Sequence, residues 1–137
     1  MNELEDGTVA TIEFGKIQSA AKSAHPIIPV VLQHAETLQV LFVGFANRQA
    51  VEETLASGHA TLWSTSRDEL WRKGATSGDV LHVEDIRINC EQNSLLYLVR
   101  PERGGACHTK NAEGHTRPSC YYRRLVDLDA LEFVAAP

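Results

Sequence analysis

Three thiols, Cys90, Cys107 and Cys120, and the histidine that follows the second of them, His108, are the side chains best suited to chemistry in this chain. Zinc is normally four-coordinate, and a catalytic site keeps one position for water, so three thiolates and a water would satisfy it. The thiols lie far apart along the chain rather than in the paired C-x-x-C spacing of a structural zinc finger. Spacing alone therefore leaves them equally readable as buried or idle free cysteines. His108 could act as a general base beside a metal, since histidine is the common proton carrier of enzymes, or could simply orient a loop. The other histidines, His25, His34, His59, His82 and His115, have no comparable neighbourhood and read as surface residues.

A second constellation surrounds the first thiol: Asn89-Cys90-Glu91-Gln92-Asn93. In an extended chain Asn89, Glu91 and Asn93 would share one face and Cys90 the other. Three oxygen-bearing side chains suit a hard cation such as Mg²⁺, but only Glu91 is charged. The residue chemistry favours a polar turn between Ile86–Ile88 and Leu95–Leu98. A third constellation runs from Trp63-Ser64-Thr65-Ser66-Arg67 to Leu70-Trp71-Arg72-Lys73-Gly74-Ala75-Thr76-Ser77-Gly78. Hydroxyls, cations and glycine-freed N–H groups are what a phosphate needs, and a tryptophan face can stack on a purine. No Walker pattern is present, and an exposed turn carrying two core tryptophans fits the same residues.

These residues need a scaffold. After Pro26 and Pro29, which exclude a helix there, Val30-Val31-Leu32 predicts a buried strand, with Gln39–Phe45 as its partner across the polar turn His34–Thr37. Asn47 is a good N-cap, Ala50, Val51, Thr54 and Leu55 recur at helical spacing, and Gly58 is a stop signal; this is the main helix. Strands follow at Ala60–Ser64, Val80–Asn89 and Ser94–Val99, then a Gly104-Gly105 connection, a polar loop over Lys110–Pro118 and a last strand over Tyr121–Val126. The expected class is α+β, β-dominated, with a small mixed sheet and one main helix. Residues 1–25 read as an N-terminal arm without assigned elements, and 26–137 as the domain.

Composition bounds the partners. The 137 residues carry 13 Lys+Arg against 18 Asp+Glu, a net charge of −5, and 43% are hydrophobic. That balance predicts a single globular domain and argues against binding to nucleic acid or to an anionic membrane surface. No apolar run approaches the roughly 18 residues of a membrane span. The acidic, polar start, Met1–Gly7, is unlike a secretory signal, and an odd number of cysteines fits reduced thiols in the cytoplasm.

Taken in order, the strings Val40–Arg48, Leu62-Trp63-Ser64 to Arg67, Leu70-Trp71-Arg72-Lys73-Gly74 to Ser77-Gly78, Ile86-Arg87-Ile88, Gly105-Ala106-Cys107-His108-Thr109 and Arg117-Pro118-Ser119-Cys120-Tyr121-Tyr122-Arg123 resemble the phosphoribosyl-AMP cyclohydrolase family of histidine biosynthesis. The resemblance implies an intertwined homodimer with active sites at the subunit interface. It implies Zn²⁺ on Cys90, Cys107 and Cys120 drawn from both chains, His108 near the reacting water, and hydrolysis of the N1–C6 bond of N1-(5-phosphoribosyl)-AMP. For this phosphorylated purine nucleotide the expected binding residues are Arg67, Lys73, Thr76 and Ser77, with Ser64 and Ser66 behind them and Trp63 and Trp71 for the purine.

Two departures stand out. The family surrounds its first cysteine with aspartates, in the pattern D-C-D-x-D, proposed to bind Mg²⁺; here the positions are Asn89, Glu91 and Asn93. Two lost carboxylates predict that Mg²⁺ binds weakly or not at all. The stretch between Cys107 and Cys120 is also longer than is usual in the family, with the extra segment near Lys110–Arg117. The alternatives are a paralogue acting on another purine-like nucleotide and a non-catalytic zinc- or nucleotide-binding dimer.

Overall fold

A computed structural model describes residues 2–23 and 25–137; Met1 and Ala24, both in the predicted arm, lie outside the described residues. The central layer is a four-stranded mixed sheet in the order β2-β1-β6-β5. Its strands are β1 (Ile28–His34), β2 (Val40–Ala46), β5 (Leu81–Ile88) and β6 (Leu95–Pro101). β1 runs parallel to β6, and the β1/β2 and β5/β6 pairs are antiparallel. Two two-stranded hairpins complete the β structure: β3 (Thr61–Ser64) with β4 (Glu69–Arg72), and β7 (Arg123–Asp127) with β8 (Ala130–Phe133). The expected β-dominated α+β class with a mixed sheet is therefore what the chain adopts.

Alternation along β1 sends Val30 and Leu32 into the core, and the centre of β6 follows with Tyr97 and Val99, all fully buried. Pro29 is tolerated in a central strand because β6 begins pairing only opposite Val30, so its missing N–H breaks no bond on that side. The main helix, α3 (Arg48–Ser57), starts and stops where its caps require. Asn47 Oδ1 accepts from Ala50 N at 2.9 Å, and Gly58 takes the left-handed conformation at φ 75°. Its buried face is narrower than predicted: Ala50 and Thr54 are buried, but Leu55 is exposed. Thr54 Oγ1 donates to Ala50 O and accepts from Thr61 N, which ties the helix to β3.

Three expectations change. Leu70-Trp71-Arg72, read as part of a phosphate loop, forms strand β4, because Leu70 and Trp71 pack against the hydrophobic core. The last strand begins at Arg123 rather than Tyr121 and turns back as β8, which was not foreseen. The arm contains two short helices, α1 (Glu3–Asp6) and α2 (Lys16–Ala20), and returns to the domain: Val9 bridges Ala130, and Arg123 donates to the carbonyls of Leu4 and Gly7, each at 2.9 Å.

Candidate active site

The loop after β6 and the segment before β7 lie side by side. Cys107 N donates to Arg117 O at 3.0 Å, and Cys120 N donates to Leu41 O in β2 at 2.8 Å. Ser119 Oγ reinforces the second anchor by donating to Val40 O at 2.7 Å. Gly105 permits the close packing, since a Cβ there would lie 2.5 Å from the Thr116 side chain. The result makes Cys107 and Cys120 neighbours. The Cys107 thiol is pulled down to about 5, chiefly by the neighbouring Cys120 thiol, with burial opposing and Thr109 assisting. Cys120 is pushed up, first by Cys107 and then by burial.

Lys73 sits below this pair, almost fully buried, with Nζ 3.4 Å from Asp79 O. Burial lowers its ammonium pKa, opposed by the charges of Asp79, Cys120 and Cys107. The loop that follows depends on Gly74, which has φ 84° and whose missing Cβ would lie 2.4 Å from the Asp79–Val80 backbone.

Two adjoining depressions open on these groups, and Trp71, Lys73 and His108 line both. The larger, of about 450 Å³, is polar and carries Arg67, Arg72, Lys73, Thr76, Ser77 and Lys110. The smaller, of about 340 Å³, is walled by Phe42, Val43, Trp71 and Tyr121 and reaches Cys120. One end thus offers cations and hydroxyls to phosphate, and the other an aromatic-lined slot of purine character beside a thiol. His108 stands at the junction, with Nε2 2.9 Å from Glu5 Oε1.

The structure sorts the expected residues. Arg67, Trp71, Lys73, Thr76, Ser77 and His108 converge on the cleft. Trp63, Ser64 and Ser66 line a separate depression of about 200 Å³ that shares Val43 and Trp71 with it. Trp63 pairs with Leu70 and Trp71 with Leu62, so the two indoles start from opposite faces of the β3/β4 hairpin. Trp63 is buried, makes an edge contact with His25, and leaves its Nε1 without a hydrogen-bond partner.

Cys90 is exposed on the β5/β6 turn, and among the described residues no group of three His, Cys, Asp or Glu side chains comes together to hold a metal. Asn89, Glu91 and Asn93 do meet, but through a turn rather than an extended face. Asn89 Oδ1 accepts from Asn93 N and Ser94 N, both at 2.9 Å, and its Nδ2 donates to Asn93 Oδ1 at 2.6 Å. Asn93 Nδ2 in turn donates to Glu91 Oε2 at 3.4 Å.

The extra length near Lys110–Arg117 does reach the site. Lys110 and Thr116 are the bridged ends of a small hairpin made by the long Cys107–Cys120 segment, and both line the polar end of the cleft. Arg72 stood within the quoted motif, yet only its position at the end of β4 turns it to the cleft. Three of the histidines expected at the surface, His34, His59 and His82, are half-buried; His59 and His82 stack edge to face, and His59 bonds Arg72.

Comparison with known proteins agrees with this geometry. The family model described as phosphoribosyl-AMP cyclohydrolase matches residues 42–122, more than half of the chain. Proteins carrying that name are similar over most of the chain. The one from Archaeoglobus fulgidus is 48% identical over 99 residues, covering 72% of this chain and 85% of its own. That from Desulfatibacillum aliphaticivorans is 44% identical over 111 residues, covering 81% and 83%. That from Halobacterium salinarum is 46% identical over 99 residues, covering 72% and 71%. The site and these matches define the class as a hydrolase acting on a cyclic amidine bond. The chain belongs to the phosphoribosyl-AMP cyclohydrolase family.

Proposed function

We propose that this protein hydrolyses the purine ring of N1-(5-phosphoribosyl)-AMP at the N1–C6 bond, as a step of histidine biosynthesis in the cytoplasm. The observation that carries the reading is the cleft itself, cationic and hydroxyl-bearing at one end and aromatic at the other, reaching Cys120 beside His108, with Cys107 buried behind its wall. Arg67, Lys73, Thr76 and Ser77 hold phosphate, and the Trp71 face receives the purine. Phe42 and Tyr121 exclude bulk water from the ring. Alkylation at N1 leaves C6 electron-poor, so water adds there; His108 takes its proton and returns it to N1 as the carbon–nitrogen bond opens.

The donor set fits zinc. Two neighbouring sulfurs are soft ligands: Cys120 lines the cleft, and Cys107, whose thiol is held low, is buried beside it. Cys90 supplies the third sulfur from a second copy, since it is exposed at a hairpin tip and does not join the pair within one chain. When bound, zinc supplies hydroxide at neutral pH by lowering the pKa of its water. The working unit is therefore a homodimer. Mg²⁺ has no strong site at Asn89, Glu91 and Asn93, whose polar groups are occupied with one another.

The test is turnover: purified protein is given phosphoribosyl-AMP with zinc, with and without added Mg²⁺, and ring opening is followed by absorbance. Turnover with zinc alone is expected, and its absence in both conditions sinks the proposal. A second reading, a paralogue acting on another purine-like nucleotide, is favoured by Lys110 and Thr116 in the cleft wall. A panel of modified nucleotides separates the two, because activity confined to phosphoribosyl-AMP removes it.

A further inference from the structure

Arg117 is a buried cation that the proposed reaction does not use. It is only 4% exposed, and its guanidinium lies 4.1 Å from the centre of the Tyr122 ring. Nη2 donates to Asp6 Oδ1 at 3.1 Å, and Nη1 donates to Thr109 Oγ1 at 3.0 Å. Nε is buried with no partner. The Thr109 hydroxyl also lies 3.0 Å from Cys107 Sγ, and its backbone N–H points at the same sulfur at 3.4 Å. A guanidinium donates only, so it occupies a lone pair of Oγ1. The hydroxyl keeps one proton and a second lone pair; with Cys107 as the thiolate of the zinc reading, the sulfur has no proton to give, and the hydroxyl held by Arg117 donates to it. The backbone of Arg117 holds the same loop from both sides: its N–H donates to Thr109 O at 3.1 Å, and its carbonyl accepts from Cys107 N.

We propose that Arg117, held by Asp6 of the N-terminal arm, is a positioning residue that locks the Thr109 hydroxyl as a donor to the Cys107 sulfur and so tunes that sulfur as a metal ligand. Asp6 lies outside the residues matched by the family model. The proposal rests on reading Cys107 as a zinc ligand. Partners of this outer kind commonly change metal affinity by about 10–100-fold. Removing a hydrogen bond from a metal-bound thiolate also raises the energy of its sulfur electrons and moves thiolate-to-metal absorption to longer wavelength.

The test uses the reduced full-length chain, titrated with Co²⁺ and read by thiolate-to-cobalt absorption, and with Zn²⁺ against a chromogenic chelator. Thr109→Val is expected to weaken both metals by roughly tenfold and to red-shift the cobalt band. Thr109→Ser is expected to restore both, and Asp6→Asn to weaken binding in the same direction by a smaller factor. Arg117→Met should match Thr109→Val; if it does not fold, the Val and Ser pair decides alone. Unchanged affinity and spectrum in Thr109→Val, with only a lower melting temperature, overturns the proposal and leaves the zinc reading intact. A wild-type chain that takes up neither metal overturns both.

Discussion

The loop pair around Cys107 and Cys120 and the hairpin tip around Cys90 differ in how their polar groups are satisfied. At the tip, Asn89 accepts two backbone N–H groups and its amide donates to Asn93, which donates to Glu91. Each amide has a neighbour within the turn. At the loop pair, a thiol whose pKa is lowered by its neighbour lies near a buried lysine whose ammonium is weakened by desolvation. Those groups are held by backbone bonds to Arg117 and to β2, so they cannot relax apart. Polar residues that complete one another make a turn, whereas charged residues pinned together by the rest of the fold make a site.

Four experiments break or sharpen that contrast. Cys107→Ser removes the lower-pKa thiol of the pair; turnover of phosphoribosyl-AMP should fall more than about a hundredfold, because on the proposed zinc reading losing a ligand exceeds the cost of losing its outer partner. Circular dichroism should report an unchanged fold, and retained activity would reduce the loop pair to a structural feature.

Restoring charge at the tip is next in size. Asn89→Asp with Asn93→Asp replaces amide donors by carboxylates beside Glu91. The doubly substituted hairpin should lose about 1 kcal/mol of stability without divalent cation, through like-charge repulsion. It should regain that stability with Mg²⁺, whereas the wild type should show no response. Thermal melts across a Mg²⁺ series measure both, and an equal Mg²⁺ response in the wild type contradicts the self-satisfied turn.

Lys110→Ala tests the lip of the cleft. It should raise KM for phosphoribosyl-AMP about threefold with little change in kcat, as loss of one partly solvated phosphate contact. The smallest effect concerns the arm. The Asp6 carboxyl is held below its usual range, first by the backbone at Asn2 and then by the Arg117 guanidinium. A depressed carboxylate contributes stability that is complete above its unfolded value, near 3.8, and is lost as pH falls through the lower folded value. Acid melts of the wild type should therefore fall more steeply below about pH 4 than those of Asp6→Asn.

Much of this molecule is written locally. Helix α3 follows from Asn47, its apolar spacing and Gly58, because capping and periodicity involve residues within one or two turns. The β1/β2 pair follows from two strand-length apolar runs across a short polar turn. The ordered motif strings were enough to place the chain in its family, since they carry the residue types the reaction needs. Other features depend on neighbours that no local pattern names. The β4 strand was hidden because Arg72, Lys73 and Gly74 look like a phosphate loop, and only the core behind Leu70 and Trp71 makes the preceding residues extended. The assignment of Trp63 and Trp71 to opposite faces is a matter of register, which one residue of slip would reverse. The pairing of Cys107 with Cys120 apart from Cys90, and the return of Glu5 and Asp6 to His108 and Arg117, join residues far apart along the chain. Residue identity determined what chemistry was available; burial and long-range hydrogen bonding, which exist only once the sheet is assembled, decided which groups meet.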